Sequence, residues 1–292
     1  MTTKHRRKTQ AQPARRQRRK TEAQRARRKT QAQRADKYLC YQNSVQEPEA
    51  DIPLIERIFK RHRGRAPRSL REDFCGTAAF SCAWVERHPE NVAFGIDLDP
   101  EPLAWGALHN VARLSPDQQS RIKLIEGNVL DVGHELVDVT VAFNFSYFLF
   151  RTRREMREYF RAARATLGPE GILVLDAYGG PESQQSQTEE RELDGFTYVW
   201  EQHSFDPIHN RGVNYIHFDF PDGSRLRRAF SYEWRIWSVP EIRETLEEAG
   251  FSKSEVYWEG TDHKTNEGND IFTRREHARD DPAWVCYLAA LP

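Results

Sequence analysis

The sequence predicts an α/β domain with a mostly parallel, doubly wound sheet, on three observations. Short apolar runs alternate with amphipathic segments from residue 69 to residue 176, the rhythm of β-α-β units. One run, 137–143, is apolar almost without a break, as in a strand covered on both faces. Asp97-Leu98-Asp99-Pro100 closes another run and opens a helix, with Asp99 placed to cap it and Pro100 at its first position.

Taken in order, residues 38–63 read as helical, with Leu54, Ile55, Ile58 and Phe59 at helical spacing. Residues 69–74 form a strand that enters the tight turn Cys75-Gly76-Thr77-Ala78, and a helix of small and apolar residues continues through Val85. A buried strand at 91–98 and a helix to about Leu114 follow. Strands at 121–125 and 137–143 flank the loop Gly127-Asn128-Val129-Leu130-Asp131. An amphipathic helix at 153–167 is closed by Gly168-Pro169, and a fifth strand at 171–175 ends at Asp176. The pattern then changes. Segments 196–205, 212–220 and 225–237 alternate and are rich in aromatic residues, with turns at Pro207 to Asn210 and at Asp222-Gly223. They predict a three-stranded antiparallel insertion within 195–237. A helix at 240–249 ends at Gly250-Phe251, and strands at 255–258 and 284–291 finish the chain.

Of 292 residues, 38% are hydrophobic and 11% aromatic, enough core for one such domain over 38–292. No apolar run approaches the ~20 residues that cross a bilayer, and the N-terminus has no apolar signal stretch. The expectation is a cytoplasmic protein with no membrane partner. Cys40, Cys75, Cys82 and Cys286 form no CxxC pair and are expected as free thiols, with no metal site. Of 44 basic and 44 acidic residues, 15 and 2 fall in residues 1–37, leaving 29 and 42 for the rest: +13 against −13. In that N-terminal part Arg-Arg-Lys-Thr-Gln-Ala-Gln at 6–12 recurs at 27–33, and as Arg-Arg-Lys-Thr-Glu-Ala-Gln at 18–24. With alanines as its only apolar residues before Tyr38 besides Met1, residues 1–37 are expected to be a disordered tail. Its functional reading is attachment to nucleic acid or another polyanion through phosphate contacts. No aromatic residue is interleaved for base stacking, so the tail is treated as an accessory.

The chemistry concentrates at the ends of the predicted strands. A strand–turn–helix at Glu72 to Ala78 lets backbone approach a ligand, with free N–H groups at the helix start. Asp97 ends the second strand about twenty residues later, where a carboxylate accepts two hydrogen bonds from a ribose diol. Asn128 follows the third strand, where its amide and the N–H of Val129 suit an adenine edge.

These residues resemble the class I S-adenosylmethionine-dependent methyltransferases, a Rossmann-like family. Its first motif is acid-x-Gly-x-Gly-x-Gly. Glu72 matches the acid and Gly76 the middle glycine, while Phe74 and Ala78 replace the other two. The resemblance implies S-adenosylmethionine as cofactor. It implies cofactor contacts at Glu72, Phe74, Cys75, Gly76, Asp97, Leu98, Asn128, Val129 and Asn144. More narrowly, Glu72 to Ala78 with Asn144-Phe145-Ser146-Tyr147 is similar to a bacterial subgroup. Since the sulfonium already carries an activated methyl group, positioning supplies much of the rate and no fixed catalytic triad is expected.

Aromatic faces favour a sulfonium, and Tyr41, Phe74, Tyr147 and Tyr178 are candidates. Tyr147, Tyr215 and His217 are the candidate catalytic residues. Glu201, His203, Tyr215 and His217 are polar groups of the insertion that could orient a nucleophile, and of these Tyr215 and His217 lie two apart and so share one face of their strand. The aromatic insertion is expected to select the substrate. Two alternatives stand. A nucleotide-binding oxidoreductase on the same sheet is opposed by Phe74, by the missing Gly-x-Gly-x-x-Gly and by the closing helix and strands. An RNA- or protein-directed methyltransferase guided by the tail is opposed by the −13 body and, for base methylation, by the lack of an Asn-Pro-Pro-Tyr motif. A small-molecule substrate, methylated on N or O, is the favoured expectation. The sequence carries no signal of oligomeric state.

Overall fold

Strands that are apolar on both faces need a helical layer on each side, and this chain supplies both. The computed structural model describes residues 29–131, 133, 135–261 and 268–292. Its first part runs α1 (Gln31–Arg34), α2 (Lys37–Val45), α3 (Pro48–Arg63), β1 (Ser69–Asp73), α4 (Ala79–Arg87), β2 (Val92–Asp97), α5 (Pro100–His109), α6 (Pro116–Ser120), β3 (Ile122–Glu126) and β4 (Val137–Ala142). Then come α7 (Arg153–Ala165), β5 (Leu167–Gly179), β6 (Gln187–Leu193), β7 (Phe196–Asp206), β8 (Arg211–Asp219), β9 (Arg225–Arg235), α8 (Val239–Glu248), β10 (Lys253–Thr261), β11 (Gly268–Arg275) and β12 (Trp284–Leu291).

One eight-stranded sheet has the order β11-β10-β12-β5-β4-β1-β2-β3. Strands β1 to β5 are mutually parallel, and β12 runs antiparallel between β5 and β10. On one face Ile55, Ile58 and Phe59 of α3 and Trp84 of α4 pack on Val139, Val141, Ile172 and Val174. On the other, Met156 and Phe160 of α7 and Ile242 and Leu246 of α8 pack on Leu173 and Leu175. Strand order reverses between β1 and β4, and ligands bind beyond the carboxyl ends of such strands. The insertion is a separate antiparallel sheet, β6-β7-β8-β9.

Three expectations change. The insertion has four strands and begins at Gln187, because β6 carries Thr-Glu-Glu-Arg-Glu on a sheet edge and so lacks an apolar stripe. Strand β11 was likewise unread, an edge strand of mixed polarity. The 153–167 helix stops at Ala165, capped by Thr166. Gly168-Pro169 lies instead in a register slip of β5, between the pairs Val137↔Leu167 and Val139↔Ile172.

Residues 1–28 of the expected disordered tail lie outside the described residues. Its last part is built into the fold. Thr30 caps α1 through a capping box. The N–H of Gln31 donates to Asp222 (2.8 Å), that of Asp222 to the Gln31 side chain (2.9 Å), and that of Ala32 to Ser224 Oγ (3.0 Å). Composition missed this because the docking is polar, through a turn residue's carboxylate rather than apolar burial. Removing residues 1–35 rather than 1–28 is therefore expected to cost about 1–2 kcal/mol, a few exposed hydrogen bonds. The melting temperature of the shorter chain should fall by roughly 2–6 °C relative to the longer. Equal melting curves would show that the α1 contacts contribute nothing.

Candidate functional site

Beyond β1 the chain turns through three left-handed residues, Phe74 (φ 60°), Gly76 (φ 53°) and Ala78 (φ 55°). A turn that strained needs external support, and neighbouring carboxylates supply it. Asp97 Oδ2 accepts the Gly76 N–H at 2.7 Å and its Oδ1 that of Asp99 at 2.9 Å. Burial, opposed by these donors, raises the Asp97 carboxyl above its usual range. Glu72 points into the start of α4, where the Ser81 N–H (2.9 Å) and hydroxyl donate to it. Burial pushes its carboxyl up to about 8. Beside it Asp73 pairs with buried Arg71 at 2.7 Å and takes the Tyr159 hydroxyl at 3.1 Å. Arg71 also reaches the Val129 carbonyl at 3.1 Å, so one guanidinium ties the loop after β3 to β1. Opposite the turn, Gly106 of α5 lies so close that a Cβ there would sit 2.2 Å from the Thr77 carbonyl oxygen.

The residues expected to hold a cofactor thus come together at the carboxyl ends of β1 to β4, with different parts to play. Asp97 is half-buried and Leu98 beside it is exposed. Asn128 spends its side-chain carbonyl on the Leu130 N–H (3.0 Å), leaving its NH2 as the remaining donor. Cys75 and Val129 are buried, and Phe74 packs on Phe150 and Tyr159. All four cysteines are buried and unpaired. Among the described residues no His, Cys, Asp and Glu cluster has the makings of a metal site, and no helix is long and apolar enough to cross a membrane.

A cavity of about 700 Å³ opens between the ends of β4 and β5 and the inner face of the insertion. Its floor is Asn144, Phe145 and Tyr178, and its roof Tyr198, Trp200, Ile216, Tyr232 and Trp234. Glu182, Glu189, Glu190, Arg191 and Glu259 supply charge, and Tyr41, Ser44 and Val45 of α2 form one wall. The same helix reaches the turn after β1, where Gln42 Nε2 donates to Thr77 Oγ1 at 2.6 Å. One element therefore touches both the turn and the cavity.

The candidate catalytic residues are elsewhere. Strand alternation puts Ile216 in the cavity and its neighbours Tyr215 and His217 on the opposite face. There His217 Nε2 meets Glu201 at 2.8 Å, and His203 takes the other oxygen at 2.7 Å. The two-residue spacing places them on one face of β8, and that face is turned away from this cavity. Tyr147 is fully buried and donates to the Asp176 carbonyl at 2.7 Å, which makes it a packing residue. The cavity's own aromatics were visible in the sequence as the other half of the same alternation.

No protein-family model and no curated protein matches the chain. Solved structures do. A S-adenosylmethionine-dependent methyltransferase from Clostridium acetobutylicum superposes with TM-score 0.61 at 15% identity, covering 87% of this chain and 97% of that one. The sugar N-methyltransferase KedS8 from Streptoalloteichus gives 0.60 at 17%, covering 88% and 93%. The amino pentose methyltransferase CalS10 from Micromonospora echinaspora, solved with S-adenosylmethionine bound, gives 0.59 at 18%, covering 87% and 96%. The chain has the class I methyltransferase fold. Within this methyltransferase fold the turn after β1 rests on two glycines for different reasons, and this is testable. Gly106→Ala forces a backbone overlap and is expected to cost roughly 1–3 kcal/mol. Gly76→Ala meets nothing within 4 Å and bears only the left-handed penalty, about 1 kcal/mol. Thermal melts should rank Gly106→Ala as the less stable; the reverse order would refute the close-approach account.

Proposed function

We propose that this protein transfers a methyl group from S-adenosylmethionine to an amine of a small molecule. The observation that carries the reading is the aromatic, glutamate-rimmed cavity on the carboxyl side of a methyltransferase sheet. Bound at the carboxyl ends of β1 to β4 beside that cavity, the cofactor would supply an activated methyl group on a sulfonium. Asp97 would accept hydrogen bonds from its ribose diol, the Asn128 NH2 and the loop around Val129 would hold its adenine, and Asn144 would lie toward its methionine part. These residues fit such a ligand: half-buried Asp97 keeps lone pairs beyond its two N–H bonds, and the turn after β1 is held open by its left-handed residues.

An amine reaches the enzyme largely protonated. The rings of Tyr41, Tyr178, Trp200, Tyr232 and Trp234 and the carboxylates of Glu182, Glu189 and Glu259 favour that cation. It attacks only as the free base, so a proton must leave to solvent or to a rim carboxylate before transfer. Alignment in a desolvated aromatic box then does most of the work. The sugar and glycopeptide N-methyltransferases and the amino pentose methyltransferase among the structural neighbours support an amine acceptor.

Two measurements test this. Calorimetry should show S-adenosylhomocysteine binding to the cofactor-stripped protein, weakened by roughly 1–3 kcal/mol in Asp97→Ala, the cost of unpaired partners. Preferential binding of NAD would sink the reading. A screen with methyl-labelled cofactor should then label amines and spare the matching alcohols. With an amine in hand, Trp200→Leu should lower kcat/KM about 3- to 30-fold, a lost cation–π contact of about 0.5–2 kcal/mol. Tyr215→Phe, on the other face, should leave it unchanged.

A further inference from the structure

We infer that Asp176 is a positioning residue for the reaction: its carboxylate holds the Asn144-Phe145 turn in the shape that floors the acceptor cavity. The inference rests on the cavity being the acceptor site. Asn144 and Phe145 both have left-handed backbones, φ 56° and 55°. Asparagine tolerates that conformation; phenylalanine does so only under constraint. The constraint is visible. The Asn144 N–H donates to Asp176 Oδ2 at 2.6 Å and the Phe145 N–H to Oδ1 at 2.9 Å. Successive N–H groups turned to one side form a concavity that holds an anion, and here the anion comes from the neighbouring strand.

Asp176 organises the rest of the floor as well. Its carbonyl accepts the Tyr147 hydroxyl at 2.7 Å, fixing the turn that follows Phe145. Two residues along β5, Tyr178 lines the cavity with its ring 4.6 Å from that of Phe145. Asp176 itself is buried and does not line the cavity, so it acts through the turn and not on the acceptor.

The surroundings make this hold depend on protonation. Burial, with the nearby charge of Asp51 on α3 adding to it, raises the Asp176 carboxyl to about 8 against the pull of the two N–H groups. Asp51 accepts the hydroxyl of Tyr287 on β12. Cys286 and Tyr287 of β12, Tyr147 and Tyr41 of α2 are the other ionisable groups facing it, and its negative charge helps to hold each of them neutral. As an anion the carboxylate offers both oxygens; once protonated, it presents a hydroxyl to one of the two donors and loses that bond.

The test joins a titration to a variant series. In the cofactor-free wild-type protein, the backbone amide resonances of Asn144 and Phe145 should move together with an apparent midpoint near pH 8. In Asp176→Asn they should be flat over the same range. Against an acceptor amine, Asp176→Ala should lower kcat more than tenfold and Asp176→Asn less. Affinity for S-adenosylhomocysteine should fall by a smaller factor than kcat in both. Asn144 and Phe145 amide resonances that are the same in Asp176→Asn as in the wild type, or an Asp176→Ala variant with wild-type kcat, would overturn the assignment. Titrating amides with no amine methylated would support the hold on the turn and count against the amine reading instead.

Discussion

Parallel strands that end side by side leave their following N–H groups crowded at one edge, and each needs a partner if it is not to face solvent. In this protein carboxylates from the strand ends take them. Glu72 receives the Ser81 N–H, Asp97 those of Gly76 and Asp99, and Asp176 those of Asn144 and Phe145. The bonds to Asp99 and Ser81 stay within one strand–loop–helix unit, while those from Gly76 to Asp97 and from Asn144 and Phe145 to Asp176 cross from one strand to the loop after another. The turns after β1 and β4 are therefore braced by neighbouring strands as well as by their own sequences. Left-handed Phe74, Ala78 and Phe145 are tolerable only inside that bracing.

The same principle decides what was legible beforehand. The central strands were plain because burial on both faces writes itself as apolar runs, and Val137 to Ala142 is one of them. The start of α5 was plain because a cap is local: Asp99 accepts the Glu101 N–H, with Pro100 beside it. Asp97 was placed correctly at a strand end, and the structure adds that it serves the turn after β1 as well. What could not be read depends on neighbours distant in sequence. Nothing local marks Asp176 as the partner of residues 144 and 145, thirty positions away. Nothing marks Gly106 as the point where α5 touches Thr77. Edge strands β6 and β11 were missed because a charged edge is what keeps such strands from pairing further.

Helix α2 shows how much a short polar segment can organise. Asp36 caps it by accepting the Tyr38 and Leu39 N–H groups, and its other oxygen takes the Trp105 indole at 2.7 Å. Gln42 holds Thr77, and the Ser44 carbonyl accepts the guanidinium of Arg191 on β6. The helix is thus stitched to α5, to the turn after β1 and to the insertion. Its apolar contribution is modest, with Cys40 and Tyr41 joining the Phe218 and Phe230 cluster.

The insertion sheet is a plate with two independent sides. Along β8 the residues Asn214, Ile216 and Phe218 belong to one side, and Tyr215 and His217 to the other. Of the first set Ile216 lines the cavity, while on the other side half-buried Tyr215 and buried His217 sit against His203 and Glu201. Pocket chemistry and outer surface can therefore drift separately over evolutionary time within a single strand. Selection can vary the cavity lining without first solving the folding of the sheet again.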